Sequence, residues 1–175
     1  LHGALSAGRR YLPEEESVKI LEAYGLPTLP SGLARSGSDA GAIGGRIGFP
    51  VVLKVVSDDI VHKFDAKGVV LDIQSRAEAE EAYNSIITNI SKVKPDAKIK
   101  GIYVQKMVTK GEEVILGVKR DPSFGAVIMF GLGGLFVEVF RDVSFRVAPV
   151  GPRSAGEMIR EIKAYDMLAG ARGKR

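Results

Sequence analysis

The chain has 175 residues, 45% of them hydrophobic and 26% charged, with 25 basic against 21 acidic side chains and a net charge of +4. That composition suits one domain, or two small lobes. It contains no cysteine and only two histidines, which excludes disulfides, thiolate zinc sites, a cysteine nucleophile and a multi-histidine metal centre. No apolar run approaches the about 20 residues of a membrane helix, and the opening LHGALSAGRR lacks the apolar core of a secretory signal. The basic residues are interleaved with acids rather than gathered in a stripe. These features point to a cytoplasmic protein that binds neither membrane nor nucleic acid.

Residues 1–12 read as a linker-like tail. LPEEESVKILEAYGLP follows as a short helix: Pro13 and three glutamates suit its first turn, and Gly25 with Pro27 stops it. Residues 36–48 are expected to form a second helix, loosened by Gly41, Gly44 and Gly45. Pro50–Val56 is an apolar, β-branched run and reads as a buried strand. Asp58–Lys67 is a polar loop, and Gly68–Ile73 the next strand. In Arg76–Val93 the residues Ala79, Ala82, Tyr83, Ile86, Ile87 and Ile90 keep the i, i+3, i+4, i+7 spacing of a helix face. After Pro95 the pattern changes to strands at Ile99–Val108, Glu113–Lys119, Ala126–Phe130 and Leu135–Phe140, separated by TKG, RDPSFG and GLGG turns. DVSFRVAPV is a candidate further strand. Ser154–Leu168 is expected as a single helix with Ser154 as its N-cap. The fold class is therefore α+β, with a lobe boundary near Val104–Thr109: a smaller lobe over 13–104, and a second over 105–175.

Several residues do not fit a plain structural reading. Lys54, in VVLKVV, falls on the strand face of Val52 and Val56. Such a lysine either snorkels to water or meets an anion, for which phosphate is the functional candidate. Glu138 and Asp142 share a parity with Phe136 and Phe140, and mark either a sheet edge or a cation. Gly131, Gly133 and Gly134 lie in a hairpin-like turn whose alternative role is a backbone cradle for phosphate; the spacing matches neither a Walker loop nor a dinucleotide fingerprint. His62 lies in SDDIVHKFDAKG, a polar loop. A lone loop histidine is ordinarily just solvated, yet a neutral imidazole is also a nucleophile able to carry a phosphoryl group. Gln105 and Met107 share a face at the lobe boundary. They are either ordinary strand residues or part of a segment that meets a purine edge.

Taken in order, YGLPTLPSGLA, GFPVVLKVVSDDIVHKFDAKGVVLDI, GIYVQKMVTKGEEVILGVKRDPSFGAVIMFGLGGLFVEVFRDVSFRVAP and LAGARG resemble the ATP-grasp part of ADP-forming acetyl-CoA and acyl-CoA synthetases, from about Leu12 to Gly173. The resemblance implies an ATP-grasp fold with two lobes clamping ATP or ADP with Mg2+. It also implies a relay in which a CoA-binding partner, as a separate subunit or in the same polypeptide, makes an acyl phosphate and passes the phosphoryl group to its own histidine, from which this module receives it for transfer to ADP. On it, Lys54 becomes the phosphate-contacting lysine, Gln105, Lys106, Met107 and Val108 the adenine hinge, and Glu113 the ribose-side acid. His62 becomes the second phosphohistidine, on a mobile loop, Gly131, Gly133 and Gly134 the glycine turn, and Glu138 and Asp142 candidate metal-side acids.

Two departures from the family pattern stand out. The family shows HKSD followed by a Gly-Gly pair, where this chain has HKFDAKG, with Phe64 for the serine and Lys67 for the first glycine. The family's magnesium-binding DINP-like motif is absent from this sequence, so the second lobe is expected to be incomplete and the chain inactive by itself. The alternatives are a nucleotide-sensing domain of a regulatory acyltransferase, which would not need His62, and an ATP-grasp ligase that forms an acyl phosphate directly and uses no histidine.

Overall fold

The structure is a computed structural model, and it describes residues 6, 12–60, 63–134 and 141–170. It divides into two compact units, Leu1–Val108 and Thr109–Arg175.

The first unit is built on a four-stranded antiparallel sheet in the order β1-β4-β2-β3, formed by β1 (Ser31–Ala34), β2 (Val51–Ser57), β3 (Val69–Ile73) and β4 (Ile99–Lys106). Alternation splits β2 cleanly. Val51, Leu53 and Val55 face one side and, with Ile102, Val104 and Ala34, pack on helices α2 (Gly37–Ile47) and α3 (Arg76–Val93). Those helices supply Ala40, Ile43, Ala79, Ala82, Ile86 and Ile90 to the same core. Both start on a serine cap: the Ser36 hydroxyl accepts from the Asp39 amide at 3.1 Å, and that of Ser75 from the Glu78 amide at 3.2 Å. The first helix, α1 (Glu14–Ala23), carries three glutamates in its first turn, where the helix dipole favours negative charge. Strand β1 was not anticipated from sequence. It is four residues long, and its antiparallel pairing with β4, Ser31 opposite Gln105 through Ala34 opposite Ile102, gives it its form.

The second unit holds a three-stranded antiparallel sheet in the order β5-β6-β7, from β5 (Val114–Asp121), β6 (Gly125–Leu132) and β7 (Val143–Val147). The expected helix over Ser154–Leu168 is corrected in two ways. It is two helices, α4 (Pro152–Arg160) and α5 (Tyr165–Leu168), and the first begins on Gly151 with Pro152 at its first position. Proline suits that position because its missing amide would have had no partner there. The break has a visible cause: the Asp142 carboxylate accepts from the amides of Lys163 and Ala164, each at 2.8 Å, and so fixes the turn before α5. Ser154 instead accepts from Arg146 Nε at 3.2 Å. The candidate strand Leu135–Phe140 lies outside the described residues, as does nearly all of the tail over 1–12.

Candidate functional site

The face of the first sheet turned away from α2 and α3 carries the polar cluster. Val52, Lys54 and Val56 of β2 share it with Tyr103 and Gln105 of β4, because Val52 pairs with Gln105 and Lys54 with Tyr103. Lys54 Nζ donates to Gln105 Oε1 and to Glu14 Oε1, both at 2.8 Å. Val52 and Val56 are buried while the lysine side chain keeps 24% of its exposure, so its charge is satisfied by a fixed acid and an amide rather than by water alone. The second oxygen of Glu14 is 3.6 Å from Lys63 Nζ. The carboxylate thus bridges strand β2 and the polar loop. Tyr103 completes the row, sharing a 2.6 Å hydrogen bond with the Ser31 hydroxyl. Its phenol is raised above the ordinary tyrosine range, chiefly by burial and further by the nearby charge of Glu14, against the lowering effect of Ser31.

The remaining hinge residues have separate surroundings. Lys106 Nζ donates to the carbonyls of Gly48 and Phe49, each at 2.8 Å, and so holds the C-terminal end of α2. The Met107 amide donates to the Pro50 carbonyl at 3.1 Å, while its sulfur accepts from the Asp72 amide at 3.3 Å. Asp72 adopts a left-handed φ of 57° to present that amide. Val108 is exposed. Of the sequence-derived hinge, Gln105 is therefore joined to Lys54, whereas the Lys106 side chain serves the helix end.

The histidine itself, His62, lies outside the described residues. Of the acids around it in sequence, Asp58 pairs with Lys100 Nζ at 2.7 Å. Asp59 accepts from the Lys98 amide at 2.8 Å and, through its carbonyl, from Lys94 Nζ at 2.7 Å. Lys67 takes a φ of 52°. That left-handed conformation is one glycine adopts far more readily than lysine.

In the second unit the Gly133 amide donates to the Glu113 carbonyl at 2.6 Å, which ties the glycine turn to the start of β5. A Cβ on Gly133 would stand 2.5 Å from Glu113 Cγ, and one on Gly131 2.7 Å from the Asp142 carbonyl oxygen, while Gly134 has a φ of 60°. Close packing within the unit thus accounts for Gly131 and Gly133, and the left-handed backbone for Gly134. The Glu113 side chain lies beside them and is exposed. Asp142 is engaged with two backbone amides, and Glu138 lies outside the described residues. Among the described residues no group of three or more acidic or imidazole side chains could hold a metal ion, and no helix is long and apolar enough to cross a membrane.

Glu14 was missed by sequence reasoning. It read as one of three dipole-complementing acids, and nothing local ties it to a lysine 40 positions away.

The ATP-grasp domain model matches residues 3–175, and the chain belongs to that family. Among its relatives is the beta subunit of acetate–CoA ligase (ADP-forming) I from Pyrococcus furiosus, 50% identical over 169 residues, which is 97% of this chain and 73% of the relative. A solved structure of dinucleotide-forming acetyl-coenzyme A synthetase 1 from Ca. Korarchaeum cryptofilum, in complex with coenzyme A, Ca-AMPCP and HgCl+, superposes with a TM-score of 0.93 at 47% identity, covering 99% of this chain and 76% of that one. Another structure of the same enzyme holds coenzyme A and Mg-AMPPCP, with its phosphohistidine segment pointing towards the nucleotide binding site; its TM-score is 0.85 at 44% identity, covering 99% of this chain and 74% of that one. The chain thus spans about three quarters of the length of these relatives.

Proposed function

We propose that this chain is the nucleotide-binding module of an ADP-forming acyl-CoA synthetase, which interconverts acyl-CoA, ADP and phosphate with acid, CoA and ATP. The observation that carries the reading is Lys54: a cation on a buried strand, held at 2.8 Å by an acid and by Gln105, at the position the family uses for a phosphate-contacting lysine. A lysine so placed offers a directed charge to phosphate oxygens, and phosphoryl transfer depends on such neutralisation. The Gln105–Val108 segment takes the adenine, with the Met107 sulfur held by Asp72. Glu113 takes the ribose, and the turn of Gly131, Gly133 and Gly134 packs against Glu113 within the second unit.

In this reading His62 is the phosphoryl carrier. The partner makes the acyl phosphate and takes its phosphoryl group onto its own histidine, with the carboxylate as leaving group; an imidazole nitrogen of His62 then attacks that phosphorus, forming a new P–N bond as the partner's P–N bond breaks. The terminal oxygen of ADP then attacks the same phosphorus, and the P–N bond breaks. Magnesium supplies charge neutralisation when it is bound with the nucleotide. The Asp142 carboxylate holds the amides of Lys163 and Ala164, and Glu138 lies outside the described residues. The partner is a CoA-binding, acyl-phosphate-forming subunit or domain, and a cytoplasmic location fits the absence of a spanning helix among the described residues.

The test uses the full-length protein with its partner. Lys54→Met weakens ADP binding by about 1–3 kcal/mol in calorimetry, the range of a charge-assisted contact; unchanged affinity removes Lys54 from the site. Label from γ-labelled ATP is retained on the protein as an acid-labile, base-stable phosphoramidate, and His62→Asn abolishes it along with net ATP synthesis. Full turnover by His62→Asn moves the protein to the direct ligase.

A further inference from the structure

We propose that Glu14 is a resident counter-ion of Lys54 which the phosphates of a nucleotide must displace, so that this one carboxylate sets how tightly phosphate is held. The proposal rests on the reading that Lys54 meets nucleotide phosphate, and four observations carry it.

Lys54 already has two of its three N–H donors engaged, by Glu14 and Gln105. A phosphate arriving at the ammonium therefore meets a carboxylate bonded to the same nitrogen, and two anions sharing one cation repel. Glu14 can also leave without undoing its helix. It is the first residue of α1, its neighbour Pro13 makes no side-chain cap, and Glu15 and Glu16 remain in the first turn to complement the helix dipole once it turns away.

Space to turn into is present. A cavity of about 250 Å³ adjoins Glu14; its wall includes Lys63, and also Asp58, whose charge is already paired with Lys100 at 2.7 Å. Finally, Gln105 is neutral, so it stays on Lys54 in both states without opposing the phosphate. Exchange of one anion for another never leaves Lys54 as an unpaired cation on a buried strand, the arrangement that would cost most. Lys63, 3.6 Å from the second oxygen of Glu14, lines the same cavity and so stays within reach of the displaced carboxylate.

The prediction is specific to phosphate. In the full-length protein with its partner, Glu14→Gln keeps an acceptor for Lys54 without the competing charge, and binds ADP about tenfold more tightly in calorimetry, the change expected for one charged contact. Glu14→Ala gives a gain in the same direction, because the charge and not the amide is responsible. Adenosine, which lacks phosphate, binds each variant as it binds the unmodified protein. ADP affinity that is equal or weaker in both variants overturns the proposal, and so does an equal gain for adenosine. Lys54→Met separates the two readings. If it weakens ADP binding while the Glu14 variants do not strengthen it, the counter-ion fails and the nucleotide site stands. If it leaves ADP affinity unchanged, phosphate is not at Lys54 and both fail.

Discussion

The two units bury their sheets to very different extents. In the first, Val51, Leu53, Val55, Ile86, Ile90, Ile102 and Val104 are all below 2% exposed, because α2 and α3 cover one whole face. In the second, α4 packs on β6 and β7 through the buried Met158, and the buried Ser144 hydroxyl donates to the Met158 carbonyl at 2.7 Å. Along β5 the alternate residues Leu116 and Val118 are 67% and 70% exposed. An apolar alternation in a strand thus records that a face is suited to cover, not that its own unit provides that cover.

Core truncation sharpens this contrast most. In the full-length protein, Ile86→Ala is expected to lower stability to urea by about 3–4 kcal/mol, since it removes packed methyl groups and leaves a cavity. Leu116→Ala should cost less than about 1 kcal/mol if its row stays open to water. A loss at Leu116 as large as that at Ile86 would mean that β5 is covered in the complete protein.

A smaller effect is expected at the helix starts. Ser75 caps α3 with its hydroxyl, whereas α4 begins on Gly151 with no side-chain cap. Ser75→Ala should therefore cost about 1 kcal/mol and Gly151→Ala somewhat less, measured in the same urea titrations. Equal costs would show that capping does not separate the two units.

The smallest effect concerns pH. Glu161 of the second unit forms a paired contact with the Arg146 guanidinium, one arm of which is 2.8 Å long. That hydrogen bond, ahead of the bare charge, holds the Glu161 carboxyl below the ordinary glutamate range. A depressed carboxyl adds stability that is fully present above the unfolded value and is lost as the pH falls through the folded one. Melting temperatures recorded from about pH 6 down to pH 3 should fall slightly less steeply for Glu161→Gln than for the unmodified chain. Because the Glu161 side chain is 52% exposed, the difference is expected to be slight. Identical slopes would show that the pair does not outlast screening.

The sequence was most legible where one local rule acts alone. Arg76–Val93 shows its helix at both ends and along one face, and the structure places it over those same residues. Lys54 stood out because strand alternation puts a charge where its neighbours are apolar. What remained illegible was set by distant partners. SGLA at 31–34 has neither the length nor the alternation of a strand, and becomes one by lying against β4. Asp142, read as a possible cation ligand, holds two amides more than 20 residues away, and the helix expected across them is broken there. Glu14 belongs to the same group: its local context describes a helix start, and its importance comes from a strand that follows only after two intervening elements.

The strand order of the first unit bears on how the protein is made. β4 is the last of the four strands to be synthesised, yet it lies in the interior of the sheet, between β1 and β2. On a ribosome, Ser31–Ala34 emerges with no neighbour to pair with, and β2 can form only its hairpin-like contact with β3. The sheet closes when Ile99–Lys106 clears the exit tunnel and enters between two strands already made, so the unit folds late and over long sequence separations. Until then one edge of β2 stays open to other nascent chains, the exposure that chaperones exist to shield.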